Sequence, residues 1–570
     1  MASISEIPTV TPAPAPTDKR AGGIHAWRLS WGLLVAAGLM AIVAAPVAAV
    51  FAFVLQPTNG LWAHLVDTLL LDYIGNTALL GIGVGASTIV IGTGCAWLLV
   101  MYEFPGRRWL DWAMVLPLAM PAYVLAYAYT DFLQFTGPVQ GLLRDLTGWG
   151  WQDYWFAPIH SLGGAIFVLS MALYPYVYVL ARSAFIEQSV CALEVSRTLG
   201  CSATGAFFRV ALPLARPAIA AGAGFVVMES LADFGAVKYF EVQTFTTGIY
   251  RAWFAQGNPA AASQLASLLL LAVFAVLLLE RRSRGHRRYA HTSARYRELH
   301  PTRLRGWRAG LATLVCALPL ACGFLIPAVV LFDMALNSSE PLVLSRLLHL
   351  IGNTVQIGIL ASVVTVAAAL LAIYAVKRDG RRLTRGLVSL SLLGYATPGV
   401  VIAVGIVITI GWLDAAIAGA AHSLLGVPTG LLLAGTIVAI LYGCLVRFFA
   451  VAYGPAEAGL GRIKRNIEDA ARTLGTSPRG VLARIHLPLM RGSVLSALLL
   501  VFVEVLKELP ATMILRPFNF DTLAIEAFQL ATTERLDGAA TPALIIVAVG
   551  LLPVILLCRT IRRSRPGRTG

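Results

Sequence analysis

The sequence predicts an all-α membrane protein of about twelve transmembrane helices, built as two parallel six-helix repeats. Three observations carry this. Apolar residues make up 58% of the chain and charged residues only 13%, with a mean hydropathy of +0.76. A soluble chain would carry about 25% charged residues. Long apolar runs recur from one end to the other. One polar signature between such runs occurs twice, about 275 residues apart.

A helix needs roughly 17–25 apolar residues to span a bilayer core. In the first half such runs occupy 28–54, 74–101, 112–135, 159–181, 212–235 and 264–280. In the second half they occupy 309–335, 351–376, 386–412, 429–452, 488–512 and 541–558. The stretches 138–150 and 415–426 are expected as short interfacial or re-entrant pieces. The halves are therefore 26–280 and 309–560. Between them lies a basic cytoplasmic linker, 281–308. Residues 1–25, rich in Pro, Ala and Thr over most of their length, read as a disordered cytoplasmic N-terminus without the apolar core of a cleaved signal. Residues 561–570 read as a basic cytoplasmic tail.

The first copy of the signature is Glu194-Val-Ser-Arg-Thr-Leu-Gly200, followed after nine residues by Val210-Ala-Leu212-Pro213. The second is Asp469-Ala470-Ala471-Arg-Thr-Leu-Gly475, followed after nine residues by Ile485-His-Leu487-Pro488. Ile74-Gly-Asn-Thr77 recurs as Ile351-Gly-Asn-Thr354, and Pro121 matches Pro398, both at an offset of 277. Ordered matches at nearly one offset mark an internal duplication. Both signature loops fall on one side, so the repeat is parallel.

The net charge of +15 raises nucleic acid as a partner, but its distribution argues against it. Ten arginines fall between Arg281 and Arg308, and the loop 55–73 holds no Lys or Arg at all. That alternation is the positive-inside pattern and predicts cytoplasmic termini and linker. It also predicts contact with anionic lipid. The seven cysteines form no CxxC pair, so neither a disulfide framework nor a zinc site is expected. No catalytic triad or metalloprotease pattern is present, and no metal site is assigned.

Each signature loop reads as a short helix, a glycine break at Gly200 or Gly475, and a second helix. The Leu212-Pro213 and Leu487-Pro488 pairs are expected to begin the next spanning helices, where proline is tolerated. An amphipathic interface helix would explain one such loop. Two loops of identical spacing favour docking onto a two-fold partner.

The helix after each loop carries acids within apolar sequence: Glu229 and Asp233 in the first half, Glu504 and Glu508 in the second. Each pair is spaced i, i+4, which places it on one helix face. The pairs are also equivalent in the repeat. A charge at mid-helix costs roughly 2.5–3.5 kcal/mol, so four carboxylates in lipid would cost about 10–14 kcal/mol. They must face the other half, a watery path or the membrane boundary. Repeated carboxylates suit a hard cation, which prefers oxygen ligands. Asp233 and Glu508 also fit a purely architectural role in capping or pairing, and Lys507 is placed to neutralise Glu508.

The second loop in particular resembles the cytoplasmic loop of permeases in binding-protein-dependent ABC importers. The likeness covers almost all of the chain after residue 25 and departs at Val195, Ser196 and Asp469. It implies the type I importer permease fold, with Glu194, Gly200, Leu212, Pro213, Asp469, Ala470, Ala471, Gly475, Leu487 and Pro488 in loops that couple to an ATPase. None of the five lysines follows a glycine, so the phosphate-binding Gly-x-x-x-x-Gly-Lys motif is absent from the sequence. The resemblance therefore implies no enzyme activity and no bound cofactor in this chain. ATP would be used by two copies of a separate cytoplasmic ATPase, and a periplasmic binding protein would deliver substrate at the bacterial inner membrane. The stretches Asp233–Tyr250 and Lys507–Ala524 resemble ferric-iron permeases, which makes iron the expected cargo. Thiamine, sulfate or molybdate, and polyamine importers of the same architecture stay open. A secondary transporter would have no use for the loops.

Overall fold

The computed structural model describes residues 30–150, 152–187, 202–284, 302–338, 343–463 and 465–563. Among these, eleven helices are long and apolar enough to cross a membrane, and one bent pair makes twelve when its two pieces are counted as one span. The first half contributes α1 (Trp31–Phe53), α2 (Leu70–Met101), α3 (Ala122–Leu133), α4 (Leu162–Glu187), α5 (Leu212–Ala232) and α6 (Pro259–Arg284). The second contributes α7 (Trp307–Leu336), α8 (Leu344–Asp379), α9 (Gly399–Leu425), α10 (Ile437–Gly461), α11 (Leu487–Leu506) and α12 (Leu536–Arg563). Each helix of the first half has its counterpart six helices later.

The expected spans 112–135 and 386–412 are not continuous helices. In the first half a helix over Arg107–Ala113 and a 3-10 turn over Leu116–Ala119 stop before Pro121, and α3 then turns away by 96°. In the second, Arg382–Ser391 and a 3-10 turn over Leu392–Ala396 stop before Pro398, where α9 begins. Proline has no N–H to donate and drives the residue before it out of the helical region. Met120 and Thr397 are accordingly extended. The stretch 415–426 is no separate piece: α9 runs through it to Gly426, which ends the helix at φ +65°. The stretch 138–150 does hold a short helix, Pro138–Thr147.

The duplicated Ile-Gly-Asn-Thr motif performs the same bonding in both halves. Asn76 Nδ2 donates to the Gln243 carbonyl (3.0 Å), and Asn353 Nδ2 donates to the Asp521 carbonyl (2.9 Å). Thr77 Oγ1 accepts from the Phe245 N–H (3.3 Å), and Thr354 Oγ1 accepts from the Leu523 N–H (2.9 Å). Each motif thus pins the start of a short helix, Phe245–Tyr250 or Leu523–Thr532, against a long one. Non-helical backbone inside a membrane protein needs such partners, because lipid offers none.

The two halves exchange their first helices. α1 packs on α8, α9 and the Arg382–Ser391 helix of the second half. α7 packs on α2, α3 and α12, and its tyrosine partner is in the first half: Tyr129 Oη donates to the Cys322 carbonyl at 2.6 Å. One apolar core therefore joins α2–α6 with α7 and α12, the other joins α8–α11, and α1 and α9 contribute to both. The end of the linker is tied as well, since Thr302–Arg303 pairs in parallel with Tyr102–Glu103.

The motif bonds make a direct test. Replacing Asn353 with leucine keeps the size but removes the donor to the part-buried Asp521 carbonyl, which costs about 1 kcal/mol. Asn353→Leu should lower the thermal midpoint of the detergent-purified protein, and Asn76→Leu, at a less buried position, should lower it less. Unchanged midpoints for both would show that these bonds do not hold the short helices.

Candidate functional site: a charged cavity between the halves

All four sequence-predicted carboxylates converge on one cavity where the halves meet. Its lining includes Glu229 and Asp233 from the first half, Glu504 and Glu508 from the second, and Tyr123, Tyr176, Arg447 and Lys507. About 90 Å³ is open inside it. That is room for several waters, since one needs about 10–15 Å³ by the same measure. Tyr123 Oη and Arg447 Nη1 are buried there without an aligned hydrogen-bond partner among the described residues.

The helices stop within each acidic pair, so the expectation that each pair shares one helix face is corrected. α5 ends at Ala232, and Asp233 is already extended (φ −62°, ψ 136°). Its Oδ1 accepts from the N–H groups of Ala236 and Val237, both at 3.1 Å, at the start of the short helix Gly235–Tyr239. α11 ends at Leu506, and Glu508 Oε1 accepts from the Ala511 N–H at 2.9 Å, at the start of Pro510–Leu515. Asp233 and Glu508 thus satisfy orphan donors that a helix start leaves open. The break itself brings the halves into contact. A Cβ on Gly235 would stand 2.8 Å from Tyr123 Cβ and 3.2 Å from Leu509 of the other half, so only glycine fits that approach.

Glu229 and Glu504 sit within the last turn of their helices and are ion-paired. Arg447, near the middle of α10, reaches Glu229 Oε1 with Nη2 (3.4 Å) and Glu508 Oε2 with Nη1 (3.2 Å). Lys507 bonds Glu504 at 2.9 Å, not its neighbour Glu508, because one helical turn back is the position its side chain can reach. Four carboxylates against two cations leave a formal excess of two negative charges around the cavity. Among the described residues, no three His, Cys, Asp or Glu side chains are grouped closely enough to hold a metal ion. Sequence reading missed Arg447. Its signal was present: a single arginine inside the apolar run 429–452, where a charge is costly unless it is paired.

Of the two signature loops, Glu194 and Gly200 lie outside the described residues. The second loop is a helix over Arg465–Thr473. It ends as the glycine predicts: Gly475 has φ +79°, its N–H donates to the Arg472 carbonyl, and Thr476 N–H donates to the Ala471 carbonyl. These two bonds form the Schellman end of a helix, which favours glycine in the left-handed conformation. Asp469 and Ala470 are exposed, and Ala471 is buried. The buried anchor is Glu468, which the sequence reading did not single out. Its carboxylate pairs with Lys377 at the end of α8 and lies 2.9 Å from His486 Nε2.

The Leu-Pro pairs begin the α-helices α5 and α11 as expected, with the proline in the first turn, but neither start is free. Leu212-Pro213 follows a helical turn at Ala203–Ala206 and a π turn at Phe207–Ala211. Leu487-Pro488 follows Pro478–Val481 and a π turn at Leu482–His486. The N–H groups of Leu212 and Leu487 reach back five residues, to the carbonyls of Phe207 and Leu482. The wide turn makes room for a proline ring that would crowd an ordinary helix, so the chain passes from loop to span without a break.

Known proteins agree with this architecture. The model of the binding-protein-dependent transport system inner membrane component matches the chain twice, over residues 88–284 and 364–565. An Fe(3+)-transport system permease protein of Haemophilus influenzae is 27% identical over 496 residues, 85% of this chain and 89% of that protein. A putative ferric transport system permease protein of the same organism is 25% identical over 432 residues, 70% of this chain and 63% of that longer protein. The molybdenum transport system permease protein of Escherichia coli is 29% identical over 200 residues, 34% of this chain and 84% of that protein. A duplicated fold, two matched regions and a near full-length relative lead to one conclusion: this chain belongs to the family of binding-protein-dependent transport system inner membrane components and carries that domain twice.

Proposed function

We propose that this chain is the permease of an ATP-driven importer that moves ferric iron from a periplasmic binding protein into the cytoplasm. The observation that carries the reading is the convergence of four repeat-related carboxylates on a single cavity between the halves. Oxygen-rich, negatively charged surroundings suit a hard, multiply charged cation. The names of two relatives, for Fe(3+) and ferric transport, support the same cargo. A second reading, an oxyanion, draws on the molybdenum relative and on Arg447 and Lys507 in the cavity. Both cations are already paired with carboxylates, which favours the first. Uptake of labelled ferric iron against labelled molybdate, in cells with and without the chain, decides between them.

The sequence has no phosphate-binding loop of its own, so hydrolysis belongs to a partner. We assign one ATPase copy to each signature loop, with Asp469 and Ala470 on the exposed face of the second. The arginine distribution supports an inner-membrane orientation with both termini and 281–308 in the cytoplasm. A cysteine placed at Gly60 should then react with an impermeant label in intact cells, and one at Arg288 should not.

Docking can be tested at Gly475. No neighbouring atom would meet a Cβ there, so the penalty of Gly475→Val is the left-handed backbone alone, about 1–3 kcal/mol. The loop helix should lose its end while the spans stay intact. ATPase pull-down and uptake should both fall with normal membrane insertion. Full pull-down with normal uptake would remove the docking role from this half.

The carboxylates can be tested by Glu229→Gln with Glu504→Gln. Uptake of ferric iron should fall by about tenfold or more, equivalent to ~1.4 kcal/mol of lost stabilisation of the passing ion. Basal ATPase activity and binding-protein docking should survive. An assembled double variant that transports at the parent rate would show that these two charges do not serve the cargo.

A further inference from the structure

We propose that Arg447 is a charge latch across the cargo path. Its guanidinium holds Glu229 of the first half and Glu508 of the second, and a multiply charged cation opens the path by taking its place. The role of the cation rests on the cargo reading above; the latch itself does not.

The geometry points to a contact built to be released. Arg447 is 8% exposed and stands between carboxylates from both halves, so moving the halves apart must break one of its two contacts. Those contacts, at 3.2 and 3.4 Å, are long for a charge-assisted hydrogen bond, which is about 2.7–2.9 Å. The two carboxylates are not equivalent. The Glu508 side chain is 4% exposed and is fixed by its bond to Ala511 N–H, whereas that of Glu229 is 32% exposed. Glu229 is therefore the partner that an ion in the cavity reaches first. A guanidinium suits this role, being always charged, planar and able to address two carboxylates at once.

The latch breaks the symmetry of the repeat in two places. At the loop offset of 275, the first-half counterpart of Arg447 is Ala172, which also lines the cavity. At the offset of 277, the counterpart of Gly399 is Ala122. A Cβ on Gly399 would collide with Nη1 of Arg447 and stand 3.0 Å from Glu508 Oε1. The second half thus carries both the cation and the space for it. The first half carries neither, so the path has one latch and not a symmetric pair.

The test uses the full chain without its native cysteines, with Ala172→Cys as a reporter inside the cavity and a small charged methanethiosulfonate applied from outside. The parent should react slowly. Arg447→Met should react about tenfold faster or more, equivalent to ~1.4 kcal/mol of lost closure. Arg447→Lys should fall between, because an ammonium can hold one carboxylate well but not both. Removing one partner of a buried pair can disrupt folding, so two further variants carry the test. Gly399→Ala keeps every charge and displaces the guanidinium. Arg447→Met with Glu229→Gln and Glu508→Gln removes the latch and leaves no stranded charge. Either should speed labelling in an assembled protein; parent rates in both would overturn the latch. Labelled ferric iron uptake by the parent is measured alongside. No uptake with fast labelling in the variants would remove the cation as the key and keep the latch.

Discussion

In a lipid environment every backbone N–H and C=O must find a partner within the protein. This chain interrupts its helices repeatedly inside the bundle, so that constraint shapes the rest of the structure. Proline breaks at Pro121 and Pro398 turn the third crossing of each half, and the ends of α5 and α11 turn at Asp233 and Lys507. The interruptions after α5 and α11 are met by side chains: Asp233 and Glu508 for the short helices that follow, and Asn76, Thr77, Asn353 and Thr354 for the next ones. The irregular backbone thus gathers around the cavity and brings carboxylates there for architectural reasons. Asp233 and Glu508 serve the helix starts, Glu508 pairing with Arg447 as well, and Glu229 and Glu504 are held by cations.

The duplication accounts for the frame, and its departures account for the chemistry. Bonding by the Ile-Gly-Asn-Thr motif, the π turn before each Leu-Pro, and the exchange of first helices all recur in both halves. Three features of the second half have no first-half counterpart at the repeat offsets: Arg447 faces Ala172, Gly399 faces Ala122, and Glu468 faces Leu193. All three bear charge or make space for it. The two halves are therefore alike in their frame and in their cavity carboxylates, and unlike in the groups that pair with or make room for charge.

Much of this was legible in the sequence. Apolar length identified the spans, because the bilayer sets a minimum that few other structures require. The cost of Glu229, Asp233, Glu504 and Glu508 in lipid made the contact between the halves one of three expected refuges, and it is the one they occupy. What stayed hidden was local or long-range. Helix ends inside each acidic pair depend on capping bonds to Ala236, Val237 and Ala511 that compete with one more helical turn. Lys507 sits beside Glu508 in sequence, yet backbone direction gives it to Glu504. Arg447 lies 218 residues from Glu229, and only the meeting of the two halves at the cavity joins them.

The exchange of first helices has a consequence for how the protein is made. Synthesis proceeds from the N-terminus, and early segments begin to fold before late ones exist. Here α1 finds most of its neighbours on α8, α9 and the Arg382–Ser391 helix, with α6 its contact in the first half, and the core of α2–α6 is completed by α7 and α12. The core of α2–α6 cannot close when its own half has left the ribosome, and α1 waits for most of its neighbours until α8–α11 are made. The first six helices must wait in the bilayer, with one face open, until the second six arrive. Assembly of this chain thus finishes late, when α12 completes the core that the first half began.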